Sequence, residues 1–174
     1  SIRIHMQDVQ EKSGYQIDAI TNKGYCLLKD ADLLSEERIR FYLEESLSSL
    51  NIQVQSSVTS TNALVKEYAA KGEKEGMVLV ANHQTQGRGR YGRTFFSPVG
   101  SGVYFSILLR PQMRADDAPS LTTLAAVAVA RGIEKVFHDS VEIKWVNDLF
   151  FNGKKICGIL TEGSFDMETN GMEY

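Results

Sequence analysis

Residues 83–98, HQTQGRGRYGRTFFSP, concentrate three glycines and three arginines in the seven positions 87–93. Glycines let a loop bring backbone N–H groups against an anion. Arg88, Arg90 and Arg93 add fixed charge and forked donors suited to carboxylate or phosphate. GRGRYG also fits the pattern G-x-G-x-x-G. A dinucleotide-binding loop, however, must open directly into a helix, and here RTFFSPVG follows, with aromatic residues and a proline that favour extended chain. The Rossmann reading is therefore rejected. The sequence has no Walker A pattern and no kinase signature. Taken alone, the segment is equally compatible with a solvated basic loop or an arginine cluster that touches RNA.

Two further clusters could carry chemistry. In VEIKW, residues 141–145, Val141, Ile143 and Trp145 alternate onto one face, and Glu142 and Lys144 onto the other. A lysine within a sheet needs an anionic partner such as a bound carboxylate or phosphate, or else it snorkels to solvent. Asn147 and Asp148 then fall where the strand turns. Ser60, Thr61 and Asn62 stand at a helix start, where they cap the helix and where a polar or anionic ligand is also favoured. Cys26 and Cys157 lie far apart with no CxxC, and His5, His83 and His138 are scattered. No zinc spacing results, and two reduced cysteines in a cytosolic protein are expected. Oxygen-ligated magnesium remains compatible.

Periodicity predicts the elements that hold these clusters. Ser35 with Glu36 and Glu37 caps a helix over 36–50, striped by Ile39, Leu43, Leu47 and Leu50. A strand over 52–56 leads to a helix capped by Ser60 or Thr61 and ended by Gly72. Strands follow at 77–82 and 103–111, on either side of the Gly-rich loop. Pro119 opens an apolar helix that runs to about Phe137. After the strand at 141–145, Asn152-Gly153 turns a hairpin over 149–160. Helices and hairpins alternate irregularly, which predicts α+β. Ahead of all this, Ile2, Met6 and Val9 mark a helix stopped by Gly14. YQIDAI and YCLL, joined by TNKG, form a hairpin. Helix plus ribbon is the back half of a winged helix-turn-helix. A chain of 174 residues fits one domain with a small appendage, and a net charge of −3 restricts any nucleic-acid contact to a local patch. The longest apolar run, Leu124 to Ala130, falls far short of the ~18 residues of a membrane span. The polar first dozen residues offer no signal-peptide core, so a cytoplasmic location is expected.

The order STN, Q-x-x-GRGR-x-GR-x-aromatic-F-SP-x-G, KW-x-ND and GKK-x-x-GIL-x-E resembles the biotin–protein ligases of the BirA-type bifunctional class. The resemblance runs through nearly the whole chain. It implies a mixed sheet flanked by helices, akin to class II aminoacyl-tRNA synthetases. It divides the chain into the end of a winged-helix domain, residues 1–30, and a catalytic domain, residues 31–174. It implies ATP-driven formation of biotinyl-5′-AMP, with Mg2+, and transfer of biotin to a lysine of a biotin carboxyl carrier protein. Operator DNA would be a partner of the full-length protein, a homodimer is left open, and no membrane is involved. Ser60, Thr61 and Asn62 would line the biotin pocket, and Gln84 would hydrogen-bond the ligand. Gly87, Arg88, Gly89 and Arg90 would fold over biotin and the adenylate phosphate, and Tyr104 would border biotin. Lys144 would contact the reacting carboxylate and phosphate, making Lys144, Arg88 and Arg90 the catalytic set. Asn147 and Asp148 would lie near the nucleotide or its magnesium, whose ligands stay unassigned. Gly158 would lie against biotin. A lipoate-type ligase would share this chemistry, but the GRGR cluster belongs to the biotin branch. A non-enzymatic winged-helix repressor with a ligand-sensing domain would need the front half of the helix-turn-helix. The chain departs from the pattern in having Val146 where the family usually has proline. It also opens inside the DNA-binding domain and stops at Tyr174, before the family's Gly-x-Gly-x-Asn strand and SH3-like domain, so a fragment of a longer enzyme is expected.

Overall fold

A computed structural model describes residues 2–13, 17–21, 23–27, 34–166, 171–172 and 174. They divide into two compact units, Ser1–Ser49 and Leu50–Tyr174. The expected stop at Gly14 and the expected domain boundary after residue 30 lie outside the described residues.

The first unit begins with helix α1 (Ile2–Ser13). Strands β1 (Ile17–Ile20) and β2 (Gly24–Leu27) follow as an antiparallel pair with Ile17 opposite Leu27. Helix α2 (Glu36–Phe41) starts as the sequence predicts, with Ser35 Oγ accepting the Arg38 N–H at 3.3 Å and Arg40 paired to Glu36 at 2.8 Å. It does not run on to residue 50. It ends at Phe41, and one 3-10 turn (Glu45–Leu47) follows. The stripe of Ile39, Leu43 and Leu47 finds nothing that buries it fully. Helices draw most of their stability from a packed face, and Ser46, Ser48 and Ser49 are poor formers without one.

The second unit holds the rest. Strands β3 (Asn51–Gln55) and β4 (Met77–Ala81) are parallel, so helix α3 (Thr61–Ala70) is the crossover between them. Strand β5 (Tyr104–Ile107) closes this three-stranded sheet antiparallel to β4. α3 lays Val65 and Ala69 on Met77, Leu79 and Leu108. Met77 and Leu79 are fully buried, each side chain contributing about 1.5–3 kcal/mol. β5 alternates: Ser106 and then Leu108 face inward, while Phe105 and Ile107 are about half exposed. Arg110 secures the end of α3, its Nη2 donating to Ala69 O at 3.0 Å and Glu73 O at 2.8 Å.

Helix α4 (Ala118–Phe137) carries Pro119 in its first turn and ends on a left-handed His138. Ala126 and Ala130 of α4 pack with Leu149, joined by Val129, Ile133, Val141, Cys157 and Ile159. The last three belong with strands β6 (Glu142–Lys144), β7 (Asp148–Phe151) and β8 (Lys154–Gly158) or their edges; the strands form an antiparallel meander. The β7–β8 turn has φ of 49° at Asn152 and 73° at Gly153, the double positive φ that Asn-Gly supplies. The expected apolar face of VEIKW is realised only in part. Val141 packs on the core, but Ile143 is 41% and Trp145 80% exposed, because β6 is a short edge strand. Strands β9 (Phe165–Asp166) and β10 (Gly171–Met172) pair antiparallel. The described residues form helices, one mixed sheet (β3-β4-β5) and otherwise antiparallel sheets, and no described helix is long and apolar enough to cross a membrane.

Candidate functional site

The start of α3 is held by a glutamine from another segment. Ser60 occupies the N-cap position, yet its side chain makes no capping bond. Instead Gln84 Oε1 accepts the Thr61 N–H at 2.8 Å and the Thr61 hydroxyl at 3.1 Å. Gln84 is set there by a parallel bridge to Val58 and by the Thr85 N–H donating to Val58 O at 2.9 Å. Its Nε2 donates to Ser97 Oγ at 3.0 Å, and the Ser97 hydroxyl donates to Phe95 O at 3.1 Å. On the far side the Ser106 hydroxyl reaches Thr61 Oγ1 at 2.8 Å and also contacts Asn62 Oδ1. Asn62 Nδ2 donates to Leu160 O at 3.1 Å and to the Glu162 carboxylate at 3.0 Å, which Lys66 approaches at 3.7 Å. Thr61, Ser97 and Ser106 are buried. Burying such groups is costly unless they are paired, and every buried side-chain N or O among the described residues has a partner.

The Gly-rich segment folds back on itself as a ribbon. The Phe95 N–H donates to Gly87 O at 2.8 Å and the Gly89 N–H to Arg93 O at 2.7 Å, with Arg88 bridged to Thr94. Tyr91 (φ 58°) and Gly92 (φ 70°) make its tip. G-x-G-x-x-G here is thus a ribbon and no helix entry, as the sequence argument required. Glycine at 87 is forced by crowding: a β-carbon would overlap the Phe95 carbonyl oxygen and stand 2.6 Å from Ser97 Oγ. Arg88, Arg90 and Arg93 line a cleft of about 380 Å3 with Leu160 and Glu162. Arg90 Nη1 donates to Asn147 Oδ1 at 3.1 Å and Nη2 to the Tyr91 hydroxyl at 3.1 Å.

The meander brings a second set of groups to this ribbon. Lys155 Nζ donates to Asp148 Oδ1 at 2.7 Å and lies 5.7 Å from the centre of the Phe95 ring. A β-carbon at Gly158 would stand 3.1 Å from both Lys155 Nζ and the Phe95 ring, so glycine keeps this corner open. Tyr104, on β5, donates its hydroxyl to Pro98 O at 3.0 Å, at the far end of the loop. Burial pushes the Cys157 thiol above its ordinary pKa, with Lys155 opposing and Asp148 adding to the shift.

Ser60, Thr61, Asn62 and Gln84 therefore belong to one polar chain or its immediate start, and Arg90 meets Asn147 across the loop. Lys144 is placed differently. It sits opposite Asp148 in the β6–β7 register, is exposed, and holds its ammonium 5.4 Å over the Phe150 ring. Sequence reasoning missed Ser97, Ser106, Glu162 and Lys155. A serine at an inward position of the apolar run VYFSILL was a usable signal for Ser106. Lys154 and Lys155 could not be told apart without the hairpin register. Among the described residues no group of three or more His, Cys, Asp or Glu could hold a metal ion.

Residues 53–171 match the model of the biotin/lipoate A/B protein ligase family. The chain is similar to the bifunctional ligase/repressor BirA of Bacillus spizizenii, 42% identical over 158 residues that cover 91% of this chain and 48% of that protein. Among solved structures it is similar to a biotin protein ligase from Aquifex aeolicus in complex with biotin and ATP, at 31% identity and a TM-score of 0.55 over 70% of this chain and 49% of the other. It is similar also to a biotin protein ligase from Leishmania major in complex with biotinyl-5-AMP, at 31% identity and a TM-score of 0.58 over 66% of this chain and 52% of the other. The chain spans about half the length of the curated relatives it matches.

Proposed function

Because this chain belongs to the biotin/lipoate A/B protein ligase family, we propose that it serves a biotin–protein ligase. The reaction activates biotin with ATP to biotinyl-5′-AMP and passes biotin to a lysine of a biotin carboxyl carrier protein. The observation that carries this reading is the closed Gly-Arg ribbon, joined through Ser97 and Gln84 to Thr61, with three arginines facing one cleft. The carboxylate of biotin attacks the α-phosphorus of ATP and pyrophosphate leaves. The amine of the acceptor lysine then attacks the acyl carbon of the adenylate and AMP leaves. No protein nucleophile is needed. What the protein must supply is the positioning of two anions and charge to offset their repulsion. At about 4 Å and an effective dielectric of 20, that repulsion is about 4 kcal/mol.

Ser60, Thr61, Asn62 and Gln84 are the biotin-facing polar set in this reading, with Tyr104 and Gly158 at its border. Gly87, Arg88, Gly89 and Arg90 fold over the adenylate. Lys144 was the lysine that the sequence pointed to for the reacting carboxylate and phosphate. Lys155, whose ammonium lies 2.7 Å from Asp148 and beside Phe95, is a second candidate, its charge partly offset by that carboxylate. Mg2+ usually binds through one or two carboxylates plus substrate phosphates, and Asp148 fits that requirement where a full protein cage is absent among the described residues. The magnesium would neutralise phosphate charge when bound.

Further parts of the reading rest on the sequence alone. The resemblance supports a winged-helix remnant over residues 1–30, a synthetase-like catalytic domain from residue 31 and operator DNA as a partner of the whole protein, and the polar N-terminus and reduced cysteines support a cytoplasmic location. The test is calorimetry with biotin and with lipoate, in the presence and absence of ATP, alongside pyrophosphate release. Tight biotin binding that ATP converts into adenylate is expected. Preference for lipoate, or no binding of either acid, overturns the reading.

A further inference from the structure

Asn147 lies in the turn between β6 and β7, beside Asp148. Both ends of its side-chain amide are committed to the protein. Its Nδ2 donates to Ile159 O at 3.1 Å, and its Oδ1 accepts from Arg90 Nη1 at 3.1 Å. The orientation of the amide follows from its partners: a carbonyl only accepts and a guanidinium only donates. The backbone is fixed as well, since the Ile159 N–H donates to Asn147 O at 2.8 Å. Asn147 is thus anchored at two points to Ile159, at the end of the meander, and its one remaining contact reaches across to the loop.

Arg90 is held at two corners by neutral oxygens, Asn147 Oδ1 and the Tyr91 hydroxyl. Its guanidinium also stands 5.0 Å over the Tyr91 ring. These contacts take two of the five N–H donors of a guanidinium and leave its charge unpaired by any carboxylate that the described residues place in hydrogen-bond or ion-pair contact with it. A neutral acceptor is what this geometry favours. It fixes the direction of the fork without cancelling the charge that an anion in the cleft would meet.

We propose that Asn147 is a positioning residue that serves adenylate formation through Arg90, and that it touches neither the nucleotide nor the magnesium. This rests on the adenylation reading above. Asn147→Ala frees the arginine, and Asn147→Asp keeps it in place but pairs its charge. Both lower the rate of adenylate formation at saturating biotin and ATP.

The test is a double-mutant cycle on single-turnover adenylate formation in the full chain, with Asn147→Ala, Arg90→Met and the double variant. The expected loss for Asn147→Ala is about tenfold in the wild-type background and under about twofold once Arg90 is methionine. Biotin affinity and the magnesium concentration giving half-maximal rate stay unchanged. Asn147→Asp is expected to lose at least as much as Asn147→Ala, with a larger loss at low salt than at high salt. If Asn147→Ala fails to fold, Asn147→Ser, which keeps an acceptor, enters the same cycle and is expected to lose less than tenfold, again only when Arg90 is present. Equal losses in both backgrounds, or a shifted magnesium requirement, overturn the proposal. Absence of any adenylate from the wild-type chain would instead overturn the functional reading beneath it.

Discussion

Gly87, Gly89 and Gly92 belong to one motif, yet their surroundings differ, and alanine at each should behave differently. At Gly87 a β-carbon would meet the Phe95 carbonyl oxygen and Ser97 Oγ. Neither is a loose end. The carbonyl accepts the Ser97 hydroxyl, and Ser97 in turn accepts from Gln84 at 3.0 Å. If the ribbon stays closed, overpacking costs about 1–3 kcal/mol. If it opens, the Phe95–Gly87 and Gln84–Ser97 hydrogen bonds are lost, at about 1 kcal/mol each. By either route the closed ribbon is disfavoured by about 2 kcal/mol, or about 30-fold. Gly92 has open space around it, but its φ is 70°. Alanine there costs about 1 kcal/mol in the left-handed region, or about fivefold. Gly89 has a φ of −118°, and the nearest contact to its β position is 3.4 Å, so alanine fits. Biotin affinity by calorimetry should therefore fall about 30-fold for Gly87→Ala, about fivefold for Gly92→Ala and under about twofold for Gly89→Ala. Parallel thermal unfolding should show the second unit still folded, since the ribbon lies outside its apolar clusters. A loss at Gly89→Ala equal to that at Gly87→Ala would refute the reasoning. It would mean that the glycines serve close approach of a ligand and not closure of the ribbon.

Two further outcomes follow from the meander. Lys155→Gln should lower single-turnover adenylate formation by about 100-fold, as for loss of one aimed donor, and biotin affinity by less. Lys144→Gln tests the lysine that the sequence singled out. A larger loss there than at Lys155 assigns the role to Lys144, and a smaller one assigns it to Lys155. Burial raises the Cys157 pKa, so its thiolate fraction at pH 8 is smaller than for an ordinary thiol. Iodoacetamide should label exposed Cys26 first, and the rate at Cys157 should still be climbing with pH past the range in which an ordinary thiol ionises. Equal rates at pH 8 would contradict the burial argument.

The chemistry of the site was written in residue types. Three arginines among glycines suited an anion-facing loop, and the proline and aromatics that follow already argued that the loop does not enter a helix. Hydrophobic period located α3, β4, α4 and the Asn152-Gly153 hairpin within a few residues, because each buries its apolar face on a core. The same period failed over residues 36–50, where the stripe was legible but is not fully buried, and over VEIKW, where Trp145 ended outside the core. Only tertiary structure decided which hydroxyls joined the site. Ser97 and Ser106 are ordinary serines until the loop and β5 bring them to Gln84 and Thr61. It also decided which lysine meets Asp148. Alternation on a single strand turns Lys144 to one face but cannot say what it meets: the register sets Lys144 opposite Asp148, yet Lys155, opposite Phe150, is the lysine whose ammonium reaches that carboxylate. Local sequence sets the direction of a side chain, and the pairing of distant segments sets what it meets.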